Sequence, residues 1–175
     1  SMASYRDPEL LPTLKDLLAN AKNPQNLVIC IAWQHSLEDS WDTLEEYKDD
    51  PRFKIIDINY SDSQGACWAR SQIHNNYGGE EYYLQLDSHH RFVKNWDVEC
   101  IKMIKQLQKK GHEKPLLTAY IPSYNPKNDP QARVNEAWWM TFDRFIPEGA
   151  VFFLPAVIPG WKEMKQQLLC LEVLP

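Results

Sequence analysis

Leu27 to Trp33 reads "LVICIAW", seven residues with no polar group at either parity. A half-exposed strand alternates apolar and polar side chains. A strand that does not alternate must be buried on both faces. Burial on both faces requires a layer above and a layer below, and helices packed around a mainly parallel sheet supply both. The sequence around this run provides suitable partners. Residues 8–22 carry Leu10, Leu11, Leu14, Leu17, Leu18 and Ala21 at helical spacing, with Pro12 confined to the first turn. Residues 38–48 read as a short helix, 53–60 as a strand, and 64–76 as a helix entered through Gly65. Residues 81–87 read as a strand, 94–110 as a helix with Trp96, Val98, Ile101, Ile104 and Leu107 on one face, and 115–121 as a further strand. The expected class is α/β with a mainly parallel sheet flanked by helices.

The last third differs. "SYNPKNDPQ" is rich in turn residues. "AWWMTFDRFI" and "AVFFLPAVI" read as two aromatic-rich strands joined by a Pro-Glu-Gly turn. An α/β part over 1–121 and a β-rich part over 122–175 are therefore expected within one domain, 1–175. The aromatic positions Trp138, Trp139, Phe142, Phe152 and Phe153 are assigned to core by default.

The net charge of −5 leaves no basic stripe to neutralise phosphates, which argues against a nucleic-acid partner. The basic run from Lys102 to Lys114 fits the wet face of a helix. The four cysteines, Cys30, Cys67, Cys100 and Cys170, are far apart and form no CxxC pair. Free buried thiols in a reducing, cytoplasmic compartment are the expectation. No stretch approaches the roughly 18 apolar residues of a membrane span, and the polar N-terminus does not read as a signal peptide.

The strand at 81–87 ends abruptly in Asp87-Ser88-His89-His90-Arg91. Ligands in open α/β sheets bind beyond the carboxyl ends of the strands. If the strand geometry continued, Asp87 and His89 would share one face, and Ser88 and His90 the other. A carboxylate and an imidazole together suit a borderline divalent cation such as Mn²⁺. The plainer reading is that Asp87 caps a loop and the histidines are solvated; His90 fits a loop role better than a ligand role. "SDSQGACWARSQ" places Arg70 on the preceding helix, where it could form charge-assisted bonds to a diphosphate or pair with surface carboxylates. Trp68 reads as core. In "SYRDPE", Asp7 is a natural helix cap ahead of Pro8, and Tyr5 and Arg6 could meet a nucleotide or lie on plain surface. No GxGxxG, P-loop or nucleophile-elbow motif occurs.

Taken together, "SYRDPELLPTLKDLLANAKNPQNLVICIAWQ", "QGACWAR" and "GEEYYLQLDSHHRFVKNWD" resemble the N-acetylglucosaminyltransferase family typified by the enzyme that modifies hydroxyproline on the Skp1 protein. The resemblance runs from about Ser4 beyond Asp97 and continues more loosely to the end. That family is similar to the GT-A glycosyltransferases and uses an Asp-x-His form of the DxD motif. The resemblance implies UDP-GlcNAc as donor, Mn²⁺ or Mg²⁺ at the diphosphate, and a protein hydroxyl as acceptor. It implies Asp87 and His89 as metal ligands, Arg70 near the donor, and Tyr5, Arg6 and Asp7 beside the nucleotide.

The family has an apolar strand before the "SYRD" motif, whereas only Ser-Met-Ala precedes it here. The family also extends past "CLEVLP". The chain therefore reads as a GT-A-like domain short at both ends, with residues 1–121 binding the nucleotide-sugar. The alternative is a catalytically inactive fragment that holds a nucleotide-sugar or a protein partner. A metal phosphohydrolase would need more clustered carboxylates. A sheet edge bared by a missing first strand would invite a homodimer.

Overall fold

The computed structural model describes residues 1–163. The chain divides into two compact units, Ser1–Glu99 and a second beginning at Cys100. The first contains a four-stranded sheet in which every pairing is parallel, in the order β3-β2-β1-β4. Its strands are β1 (Met2–Tyr5), β2 (Ile29–His35), β3 (Phe53–Asn59) and β4 (Leu86–Asp87). Helices α1 (Leu10–Asn20) and α2 (Ala66–His74) cover the two faces.

The apolar run behaves as its pattern demands, since every residue of β2 is buried. Ile29, Ile31 and Trp33 join Met2 and the α1 residues Leu10, Leu14 and Leu17 in one core. Cys30 and Ala32 face the other way, onto Ala69 and Ile73 of α2, with Trp68 packed against the same cluster. Period-two alternation thus feeds two hydrophobic layers from one strand.

The first strand is the main departure from expectation. Met2–Tyr5 forms it and stands inside the sheet, with Met2 level with Ile31 on one side and Leu86 on the other. The gap expected ahead of "SYRD" is filled by Met2, Ala3 and Ser4 themselves. Among the described residues β1 is paired on both sides and so is not a sheet edge, which removes the premise of the edge argument for a homodimer.

Three other elements are shorter than their patterns suggest. The expected helix at 38–48 is a series of turns ending in a 3₁₀ turn at Glu45–Tyr47. Ser36 and Thr43 oppose the helix. Ser36 Oγ accepts from Glu38 N–H at 3.2 Å and Thr43 Oγ1 from Glu45 N–H at 3.3 Å, so side chains compete with the helical ladder. The strand at 81–87 reduces to Leu86–Asp87, which pairs only with Met2 and Ala3. The strand at 115–121 reduces to a single bridge, Tyr120 to Trp138.

Helix α3 spans Trp96–Lys109. In the second unit, β5 (Trp138–Phe145) and β6 (Val151–Val157) form the expected antiparallel hairpin. Trp139, Phe142, Phe152 and Phe153 are exposed on it, against the default assignment to core. Cys30 is buried as expected, whereas Cys67 is exposed and Cys100 half-buried; all three are free thiols, and Cys170 lies outside the described residues. The architecture is α/β, a parallel sheet between helices with a small antiparallel addition, and is consistent with a GT-A-like fold.

Candidate active site at the carboxyl end of the parallel sheet

Because the strands are parallel, Tyr5, His35, Asn59 and Asp87 all end at the same edge of the sheet. Asp87 is level with Ala3, two residues short of the end of β1. Arg6 and Asp7 follow directly on β1, so the "SYRD" and "DSHH" segments meet.

Asp7 is the meeting point. Its Oδ1 accepts from Glu9 N–H at 2.9 Å, a turn just ahead of α1; the residue that caps the helix is Glu9, not Asp7 as its place before Pro8 suggested. Its Oδ2 accepts from the Ser88 hydroxyl at 2.5 Å and lies 2.8 Å from Nδ1 of His89. Burial pushes the Asp7 carboxyl up, but the hydrogen bonds from Ser88, His89 and Glu9 outweigh it and hold Asp7 below the ordinary aspartate range. Ser88 and His89 therefore point to the same oxygen rather than to opposite faces. Strand geometry stops at Asp87, and the alternation expected beyond it does not apply.

Asp87 and Arg70 also come together. Arg70 Nη2 donates to Asp87 Oδ1 at 2.8 Å. Arg6 projects elsewhere, donating through Nε at 2.6 Å and Nη2 at 3.0 Å to the two oxygens of Asp39. It also lies over the Tyr60 ring, 4.7 Å from its centroid. Tyr5 is exposed and meets Tyr60 edge-on. His90 turns back, its Nδ1 3.0 Å from the Asp87 carbonyl, and burial lowers its pKa.

The tip owes its position to α1. Thr13 Oγ1 donates to the His90 carbonyl at 3.1 Å and accepts from His90 N–H at 3.0 Å. Arg91 donates to Glu9 Oε2 at 2.6 Å, Phe92 N–H to Asp16 Oδ2 at 2.6 Å, and Asn95 N–H to the Asn20 carbonyl at 2.7 Å. Trp96 Nε1 donates to the Leu17 carbonyl at 3.0 Å, and Asp97 accepts from the backbone of Lys22 and Asn23. Residues 88–97 are thus laced along the whole length of α1. The sequence offered one faint sign of this: Thr13 lies beside Leu10, Leu14 and Leu17 on the inward face of α1 and is fully buried.

A second polar group at the same sheet edge went unread in the sequence. Trp33 Nε1 donates to Asp42 Oδ1 at 2.7 Å, and the Trp33 ring stacks on His35 at 3.4 Å between centroids. His35 Nε2 lies 2.9 Å from Asp57 Oδ1. Asp42 is only 6% exposed and its Oδ2 has no hydrogen-bond partner among the described residues. Burial pushes its pKa up, against the hydrogen bond from Trp33.

A family model described as "Glycosyltransferase (GlcNAc)" matches residues 1–51 and 43–172 of the chain. The chain belongs to this GlcNAc glycosyltransferase family. The match takes in every residue of the sheet edge just described. Comparisons with curated proteins and with solved structures give no match. Among the described residues of this glycosyltransferase, no helix is long and apolar enough to cross a membrane.

The donor set of the glycosyltransferase can be tested against a divalent cation. Asp87 is 55% exposed and spends Oδ1 on Arg70. His89 is 59% exposed and engages Asp7 through Nδ1, which leaves Nε2 as the nitrogen for a ligand. No group of three or more His, Cys, Asp and Glu suited to a metal is found among the described residues. The residues fit a cation that takes two protein ligands and completes its shell with phosphate oxygens and water, as Mg²⁺-type sites do.

Proposed function

We propose that the chain binds a UDP-sugar at the carboxyl end of its parallel sheet and transfers N-acetylglucosamine from UDP-GlcNAc to a protein hydroxyl. Hydroxyproline is the acceptor that the family resemblance implies. The observation that carries the reading is the convergence of Asp87, His89, Asp7 and Arg70 at that edge, in a chain of this transferase family. Asp87 and His89 would hold Mn²⁺ or Mg²⁺. When bound, the cation neutralises charge on the departing diphosphate. Arg70, turned away from Asp87, would donate to a phosphate oxygen and hold the leaving group in place. Tyr5 offers an exposed ring beside the end of β1, suited to a nucleotide face. Arg6 is committed to Asp39 and would support the loop at 36–42 more than the ligand. A cytoplasmic location agrees with the three free thiols.

A second reading is a module that holds the nucleotide-sugar without turnover. The pairing of Arg70 with Asp87 favours it, because both groups are occupied by each other. Calorimetric titration of UDP-GlcNAc into the chain, with Mn²⁺ and then with EDTA, tests the proposal. Binding that requires Mn²⁺ and disappears in Asp87→Ala supports the donor site; binding unchanged in that variant overturns it. Release of UDP in the presence of a hydroxyl acceptor separates the transferase from the binding module.

A further inference from the structure

We infer that Asp7 is a positioning residue for His89: it fixes the imidazole in the Nδ1–H form and so presents Nε2 to the cation. This deepens the metal-dependent donor reading and rests on it. The turn ahead of α1 needs one acceptor oxygen, and Asp7 spends only Oδ1 on Glu9 N–H. Its other oxygen reaches a segment 82 residues away. Ser88, buried to 4% exposure, gives its hydroxyl proton to Oδ2, and His89 approaches the same atom. With Oδ1 accepting from Glu9 N–H and Oδ2 from the Ser88 hydroxyl, both oxygens already act as acceptors, which suits an ionised carboxylate and which serine or asparagine at position 7 cannot match.

The consequence for His89 is chemical. An ionised Asp7 cannot donate, so Nδ1 must carry the proton, and the lone pair then resides on Nε2. A carboxylate behind an imidazole is the arrangement that orients histidine ligands and raises their basicity. Asp7 is itself held by the Glu9 backbone and by Ser88, so it can impose that orientation without moving. The plain turn role predicts none of this, since it is indifferent to which nitrogen of His89 is protonated.

The test is imidazole ¹⁵N NMR of the full chain above the histidine titration range, followed by Mn²⁺ titration read by paramagnetic broadening of the His89 ring. The wild-type ring is expected in the Nδ1–H form, with broadening centred on Nε2. Asp7→Asn is expected to mix the two neutral forms and to weaken Mn²⁺ by roughly 10- to 100-fold, as loss of such a partner does. A wild-type ring in the Nε2–H form, or an Asp7→Asn chain that binds Mn²⁺ as tightly as wild type, overturns the positioning role. The wild-type tautomer is read whether or not the variant folds. A wild-type ring in the Nδ1–H form that Mn²⁺ leaves untouched overturns instead the donor-site reading, and the inference with it.

Discussion

Arg70 Nη2 rests 2.8 Å from Asp87 Oδ1, so the cation and the carboxylate that the proposed donor site would turn to one diphosphate hold each other. Their side chains are 31% and 55% exposed. A pair this wet contributes about 0–1 kcal/mol. Arg70 Nε is buried without a partner among the described residues, so this pose does not satisfy the guanidinium fully. The pair is therefore cheap to open. Arg70→Gln is expected to shift stability by less than about 1 kcal/mol. It should weaken Mn²⁺-dependent UDP binding by roughly 10- to 100-fold, the scale of a lost charge-assisted bond. Mn²⁺ alone should bind no more weakly than in wild type. Urea unfolding and calorimetry measure the three quantities.

Thr13 ties α1 to the tip in both directions. Its hydroxyl both gives to and takes from the backbone of His90. Thr13→Val keeps the shape and removes these bonds, leaving the part-buried His90 N–H without its acceptor while the His90 carbonyl keeps Arg91 Nη1 at 2.9 Å. A loss of about 2–3 kcal/mol is expected by urea unfolding. Thr13→Ser retains the hydroxyl and should recover most of it.

Two buried aspartates should give opposite pH signatures. Burial alone would raise Asp97, but backbone N–H groups of Lys22 and Asn23 at 2.7 and 2.9 Å, with further backbone donors, hold it below the ordinary value. Its folded pKa lies below its unfolded one, so its contribution is present above about pH 4 and is lost as pH falls through the folded value. Asp97→Asn should be less stable than wild type at neutral pH, with the gap closing in acid. Asp42 is raised by burial, so it binds its proton more tightly when folded. Its presence costs stability as pH rises from about 4 through the raised value. Asp42→Asn, which still offers Trp33 an acceptor, should be at least as stable as wild type at neutral pH and lose that advantage in acid. Unfolding curves across pH 3–8, a range of about five units around these values, resolve both slopes.

Gly65 precedes α2 with φ +93° and ψ 173°, a conformation that belongs to glycine. A Cβ built there meets nothing within 4 Å. Gly65→Ala should therefore cost about 1–3 kcal/mol through backbone strain alone, with no steric clash. Because Gly65 sets where α2 begins, UDP binding through Arg70 should fall with it.

Much of this fold was legible in the sequence because its signals were local. The unbroken apolar run gave β2, helical spacing gave α1 and α3, and Gly65 marked the entry to α2. Arg70 was read either as a diphosphate contact or as a partner of surface carboxylates, and the structure pairs it with a carboxylate, Asp87, 17 residues on, a choice of partner that no local pattern reports. Met2–Tyr5 was not legible as a strand: a four-residue segment ending in Ser-Tyr becomes an inner strand only because β2 and β4 flank it. The turns at 38–48 were missed because side-chain bonds from Ser36 and Thr43 overrode an apparent helical pattern. The bond between Asp7 and His89 spans most of the first unit, and no periodicity reports such a contact.

The lacing of residues 88–97 along α1 also limits what evolution can do with this segment. Donors at His90, Phe92, Lys94 and Trp96 meet acceptors spread between Thr13 and Ala19 of α1. Two of those acceptors, at Leu17 and Ala19, are backbone carbonyls, which point substitutions in α1 leave in place. A deletion of one residue would slide every later donor by about 3.4 Å, roughly one strand step, and miss them all together. Among relatives, side chains in this interval that make no bond to α1 or Asp7, such as Val93, should drift before its length does, making the spacing from Asp87 to Trp96 a mark of shared architecture.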